Sequence, residues 1–351
     1  MYVAFRVDSS HEIGFGHISR CLNLANQLKE YGYKSIFIIS DNGNSVADVI
    51  KKNNHLVKKL KIKKNKSHQN SNNFESWLKH SWQEDAILTI KKIKKFSIQA
   101  LIVDHYALDY KWERKIRSLT DQIIVIDDLD NRKHDCNILV DHNYRPYNNN
   151  PYQQNLLRKS IKLIGLKYAL IDPIYSKYKK KSHNKKIKNI LVSFGGADKY
   201  SLTEIILDKF SDEYFNNFKI KIVIGINNVN EVNIRKKSRK LNNIEIYKAP
   251  KNLANLLFNS DLVVGALGTS LWERMCVGLP SIVIASGEDQ KLFAKSLNKK
   301  GFIKLLGFAD EIDGLDIKAS IKKLFSKKYN TNDLVKFQKH VDGNGVKRVA
   351  S

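Results

Sequence analysis

The 351-residue chain contains little cysteine: Cys21, Cys136 and Cys276 are widely separated and form no CxxC or Cys/His spacing. That excludes a disulfide framework and offers no structural zinc pattern. No apolar run reaches the roughly 18 to 20 residues that a membrane-spanning helix requires, so no integral membrane contact is expected. Residues 1–8 lack the charged head, long apolar stretch and small-residue cleavage site of a secretory signal, which makes the cytoplasm the expected compartment. Acidic residues are scarce as well. Against 61 Lys and Arg stand 35 Asp and Glu, a formal charge of +26. A field of that sign attracts phosphate, nucleic acid or anionic lipid and by itself names none of them.

What the chain does have is apolar residues, 42% of the total, enough to bury a sizeable core and to form two domains. Short β-branched runs alternate with amphipathic stretches throughout, the pattern of parallel sheets covered by helices, so the fold class is α/β. In the first half, strands are expected at 2–7, 35–40, 101–104, 123–126 and 138–140. Ile18, Cys21, Leu22, Ala25, Leu28 and Tyr31 recur at helical spacing before Gly32, which predicts a helix over 18–31. The pattern restarts with strands at 190–194, 220–224, 262–265 and 281–285. Between the halves, residues 173–187 are polar and lysine-rich and read as a linker. The expected domains are 1–172, carrying a catalytic loop, and 188–351, binding a nucleotide. Lysine runs such as 58–64 and 177–181 lack regular aromatic interleaving and read as solvated surface rather than a base-stacking face. The Asn/Lys-rich stretches near 64–73 and 143–154 read as mobile surface loops.

Three segments carry candidate chemistry. In the first, the strand Arg6-Val7-Asp8 leads through Gly14-Phe15-Gly16 to His17 at a helix start. Glycines allow close backbone approach, and a helix N-terminus favours an anion. No third glycine follows, so this is not the dinucleotide fingerprint. The positive helix end favours a neutral His17, suited to act as a general base, whereas a bound pyrophosphate works in the opposite direction. A loop-capping histidine is the plain alternative. In the second, Asp104-His105-Tyr106 and Asp127-Asp128 end two predicted strands, where ligands of open parallel sheets sit. Adjacent carboxylates on an extended chain point apart, which argues against a metal and for turn capping or a pair with Arg132. In the third, Gly195-Gly196 follows a strand, and Gly268-Thr269-Ser270 with Glu273 opens a helix after another, an arrangement suited to a diphosphate with Glu273 on ribose hydroxyls. The bland role for Glu273 is to complement the helix dipole.

Taken together, these motifs, with Gly165-Leu166-Lys167-Tyr168 and Gly278-Leu279-Pro280, resemble the UDP-sugar hydrolases of pseudaminic acid biosynthesis over about the first 290 residues. The resemblance implies the glycosyltransferase-B architecture, two Rossmann-like domains facing across a cleft, and hydrolysis of UDP-2,4-diacetamido-2,4,6-trideoxy-β-L-altropyranose to UDP and free sugar, a precursor of a nonulosonic acid of bacterial surface glycans. It places the base that activates water at His17 and an active-site tyrosine at Tyr106. It assigns substrate binding to Arg6, Asp8, Gly14, Gly16, Gly195, Gly196, Gly268, Thr269, Ser270 and Glu273, and to Asp289 and Gln290, where members of the family carry Asn-Gln. No cofactor and no metal are implied, and the partner is the UDP-sugar rather than nucleic acid. Two other readings stand beside it. A transferase of the same architecture would present an acceptor hydroxyl to the same histidine, and a basic nucleic-acid-binding protein would use the +26 charge.

Overall fold

The computed structural model describes residues 1–10, 13–40, 44–61, 74–145, 150–182, 187–286, 288–311, 316–326 and 331–351. The chain divides into two compact units, 1–170 together with 346–351, and 171–345. Each is built on one parallel sheet.

In the first unit the strands are β1 (Tyr2–Val7), β2 (Lys34–Ser40), β3 (Leu56–Leu60), β4 (Ile98–Asp104), β5 (Ile123–Ile126), β6 (Ile138–Asp141) and β7 (Ile161–Ile164), in spatial order 3-2-1-4-5-6-7. The chain winds outward from β1 in both directions, so β1 and β4 are neighbours whose connections leave to opposite sides. That reversal opens a crevice at their carboxyl ends, the place where parallel sheets of this kind hold ligands. Alternation along β1 sends Val3, Phe5 and Val7 to the face covered by helix Gly16–Glu30. Ala4 goes to the other face, which also buries Trp112 and Ile116 of helix Tyr110–Ile116. Val346 and Val349, from the last helix, complete the first of these cores.

The second unit contains β8 (Asn189–Ser193), β9 (Lys219–Ile224), β10 (Ile244–Lys248), β11 (Leu262–Ala266), β12 (Ser281–Ala285) and β13 (Lys304–Phe308), in order 10-9-8-11-12-13. Its reversal lies between β8 and β11. Both units therefore have the parallel, helix-covered sheets that the apolar patterning predicts and the Rossmann-like winding that the resemblance implies.

The segment read as a linker holds a short helix, Ile174–Lys177, with Tyr175 buried at 3% exposure, while residues 183–186 lie outside the described residues. The stretch 64–73 also lies outside them. Near 143–154 the described part includes Tyr152, 1% exposed, whose hydroxyl donates to the Asp127 carbonyl at 2.8 Å.

Candidate active site

The first unit gathers its chemistry at the β1/β4 crevice. After β1, the Ser9 hydroxyl donates to the Gly14 carbonyl at 2.7 Å and the Gly14 amide donates to the Ser10 carbonyl at 2.9 Å. This tight turn needs the positive φ of Gly14, +76°, and feeds helix Gly16–Glu30. Gly16 and His17 are the first two helical residues. Asp104, the last residue of β4, accepts from His17 Nδ1 at 2.6 Å. Facing an ionised carboxylate at that distance, Nδ1 is assigned as the donor, and in the neutral ring Nε2 is then the acceptor.

Asp104 is held ionised. Its burial opposes the charge, but the Arg20 guanidinium, and after it His17, keep the carboxyl well below the usual range. Arg20 grips Asp104 with two nitrogens, Nε at 2.6 Å and Nη2, and reaches Asp128 with Nη1. His17 and Arg20 lie one helical turn apart and so share a face. Asp128 in turn accepts the Tyr106 hydroxyl at 2.6 Å. Burial and the Asp128 charge push the Tyr106 phenol far above its ordinary value, so Tyr106 is a neutral donor. Its ring lies 4.7 Å from the imidazole of His17 and stacks on Trp77 at 5.2 Å, and Phe74 closes edge-on at 5.1 Å. The result is a half-buried aromatic wall beside an oriented imidazole. Close by, burial pulls His142 down to about 4, a neutral ring 3.3 Å from Arg20 Nη1.

Arg6 and Asp8 lie beneath this site rather than on its surface, at 0% and 1% exposure. Arg6 donates to Asp8 at 2.9 Å and to both oxygens of Asp85, and Asp8 accepts the Ser40 amide at 2.6 Å. Their charges are satisfied inside the protein, where they lock the ends of β1 and β2 to helix Trp82–Ile93. Asp127 pairs with Arg132 at 2.6 Å and accepts the Asp130 amide at 3.0 Å, the turn-capping arrangement.

The second unit presents two glycine turns at the carboxyl ends of adjacent strands. Gly195, φ +85°, and Gly196 follow β8, and Gly225 packs so closely on their carbonyls that a side chain there would collide. Gly268, φ +150°, follows β11 and precedes helix Thr269–Val277, whose first turn has no acidic residue. Above both Gly195 and Gly268 the space is open, with no atom within 4 Å of where a side chain would begin. Amides at the start of this helix can therefore meet an anion. Glu273, one turn on, faces the Tyr175 hydroxyl, and burial pushes its carboxyl up to about 7. Gln290 accepts the Ser286 amide at 3.2 Å from helix Glu288–Lys299, which also contains Asp289.

Residues 189–347 match the model of the glycosyltransferase family 28 C-terminal domain. Among curated proteins, an uncharacterized protein of Methanocaldococcus jannaschii is 28% identical over 299 residues, 83% of this chain and 57% of that protein, so the chain spans little more than half of that relative. The spore coat polysaccharide biosynthesis protein SpsG of Bacillus subtilis is 24% identical over 100% of this chain and 97% of its own. A UDP-2,4-diacetamido-2,4,6-trideoxy-β-L-altropyranose hydrolase of Campylobacter jejuni is 26% identical over 86% of this chain and 98% of its own. Of solved structures, MurG of Acinetobacter baumannii aligns with a TM-score of 0.61 at 14% identity, covering 99% of this chain and 98% of that one. The kitacinnamycin glycotransferase aligns with a TM-score of 0.64, also at 14% identity, over 99% and 97%. The fold is the glycosyltransferase-B architecture.

These findings correct the expected hydrolase family and the hydrolytic reaction drawn from it. The family model that matches describes glycosyltransferases, and SpsG, aligned end to end, is a polysaccharide biosynthesis protein. The physical reason is that the quoted motifs do not specify the reaction. A glycine turn, a helix start and an oriented imidazole serve a sugar hydroxyl as well as they serve water, so they do not distinguish the two reactions.

Asp104 and Asp128, strand-end candidates from the sequence, meet His17 and Arg20 at this crevice, whereas Arg20 and Trp77 were not singled out as site residues. Arg20 was visible at i+3 from His17, and Asp104 as a strand-end acid. Trp77, four residues beyond a lysine- and asparagine-rich stretch, gave no periodic signal.

Among the described residues no helix is long and apolar enough to cross a membrane, and no group of three or more His, Cys, Asp or Glu could hold a metal ion.

Proposed function

We propose that the chain is a glycosyltransferase that moves a glycosyl group from a UDP-sugar to an acceptor hydroxyl. The observation that carries this reading is the match of residues 189–347 to a glycosyltransferase C-terminal domain, laid over the two glycine turns.

In this reading the second unit holds UDP. Amides of residues 268–270 and the Thr269 and Ser270 hydroxyls meet the diphosphate, and Glu273 accepts from the ribose. The first unit supplies the base. The acceptor hydroxyl gives its proton to His17 Nε2 as its oxygen bonds to the anomeric carbon. The carbon–oxygen bond to UDP breaks, and UDP leaves with the electron pair. Asp104 holds the imidazole and stabilises the positive charge it gains, as the acid of a catalytic triad does. The Trp77, Phe74 and Tyr106 wall offers a sugar ring an apolar face to pack against.

The test is UDP release from a panel of UDP-hexosamines, with and without mono- and disaccharide acceptors and their lipid-linked forms. Release that rises with acceptor, with the glycosylated product seen by mass spectrometry, is the expected result. Release at one rate regardless of acceptor contradicts it.

A further inference from the structure

Helix Thr269–Val277 buries one charge that the mechanism above does not use. Arg274 is 2% exposed, yet among the described residues no carboxylate forms an ion pair with it. Its guanidinium instead binds the turn before its own helix: Nε donates to the Ser270 carbonyl at 3.0 Å, and Nη2 donates to the Ala266 carbonyl and approaches Ser270 Oγ at 3.5 Å. The third nitrogen, Nη1, is buried and has no hydrogen-bond partner.

The strand beneath is shaped for this group. Gly265, in β11, has no side chain, and a Cβ there would lie 3.0 Å from Nη1 and collide with the Ser193 carbonyl of β8. The unpartnered nitrogen thus lies against Gly265 near the carboxyl end of β11, the strand that pairs with β8. Burial pulls the guanidinium down to about 10, only partly offset by the neighbouring Glu273, and at neutral pH it remains a cation. A buried cation held in no ion pair is costly to a fold, and a further anion nearby relieves that cost.

We infer that Arg274 is a positioning residue for an anionic ligand: it clamps the 266–270 turn from behind and supplies a positive charge, held in no ion pair, that complements a diphosphate at the helix start. By taking the Ala266 and Ser270 carbonyls inward, the clamp fixes the turn so that its remaining amides are free for the ligand. The inference rests on the reading of the second unit as a nucleotide site and adds a residue behind that site.

The experiment is calorimetric titration of uridine, UMP, UDP and inorganic pyrophosphate into the full chain and into Arg274→Gln and Arg274→Lys, at low and high salt. The wild type is expected to bind UDP with strong salt dependence and uridine with little. Arg274→Gln is expected to leave uridine affinity within about twofold, to weaken UMP several-fold, and to weaken UDP and pyrophosphate tenfold or more. Arg274→Lys recovers part of the loss for the charged ligands. An equal loss for uridine and UDP overturns the inference, because a damaged scaffold does not count charges; so does no loss at all. If the variants fail to fold, equal salt dependence of uridine and UDP binding in the wild type overturns it equally. Pyrophosphate binding without nucleotide binding removes the nucleotide reading and leaves Arg274 in place. Binding of neither removes both.

Discussion

His17 acts through what holds it. Asp104 fixes the ring by Nδ1, Arg20 fixes Asp104, and Asp128 ties Arg20 to Tyr106. His17→Ala is therefore expected to lower kcat by about 10²- to 10⁴-fold, the usual range for a lost general base, with UDP affinity unchanged by calorimetry because the proposed nucleotide contacts lie in the other unit. A parallel fall in UDP affinity would contradict this division of labour. Glu273 offers a titration. Its carboxyl is raised from 4.5 to about 7, first by burial. Ribose hydroxyls donate to the ionised form, so uridine affinity is expected to be full above pH 7 and to fall as pH drops through it, and Glu273→Gln removes that slope. Folding has the opposite slope. The buried carboxylate costs stability as pH rises from 4.5 to about 7, so Glu273→Gln raises the Tm at pH 8 and leaves it unchanged at pH 4. At this scale the sequence disclosed His17 because a strand, a glycine turn and a helix start surround it. It did not disclose the fate of Arg6 and Asp8. Two residues apart on a strand, they point the same way and can pair, but the carboxylate that completes their network, Asp85, is 79 residues from Arg6.

Elements were legible where they are buried on both faces. The central strands β1, β2, β4, β8, β11 and β12 read as continuous apolar runs, as covered parallel strands do. The four edge strands were not legible. Leu56–Leu60, Ile161–Ile164, Ile244–Lys248 and Lys304–Phe308 all carry lysine and are only partly buried, so β3 was absorbed into a lysine run taken for solvated surface. The glycine turns make a sharper prediction. A Cβ on Gly225 collides with the Gly195 and Gly196 carbonyls. Gly225→Ala is thus expected to destabilise the second unit by about 1–3 kcal/mol, the range for overpacking, and to weaken UDP binding by moving the turn. Unchanged thermal unfolding would show that the close packing is not a constraint.

At the scale of the molecule the chain leaves its first unit near residue 170 and returns to it at 346, so the last residues stabilise a unit to which they are not sequence neighbours. Val346 and Val349, 0% and 8% exposed, are buried in that first core. Truncation after Gly345 is expected to lower the stability of the first unit by about 3–6 kcal/mol, from two valines taken out of the core. UDP at 100 times its Kd is expected to raise the second unit by about 2.7 kcal/mol, and calorimetric scans of both forms read the two effects. The alternation of elements showed the two-unit α/β architecture, but the reaction was not legible, because water and a sugar hydroxyl make the same demands on the histidine and the glycine turns. The most direct test is therefore isotopic: turnover of a UDP-sugar in ¹⁸O-labelled water with acceptor present, with products weighed by mass spectrometry. A glycosylated acceptor free of solvent oxygen is the expected result. Free sugar carrying one ¹⁸O at its anomeric carbon, formed at a rate the acceptor does not change, would contradict it.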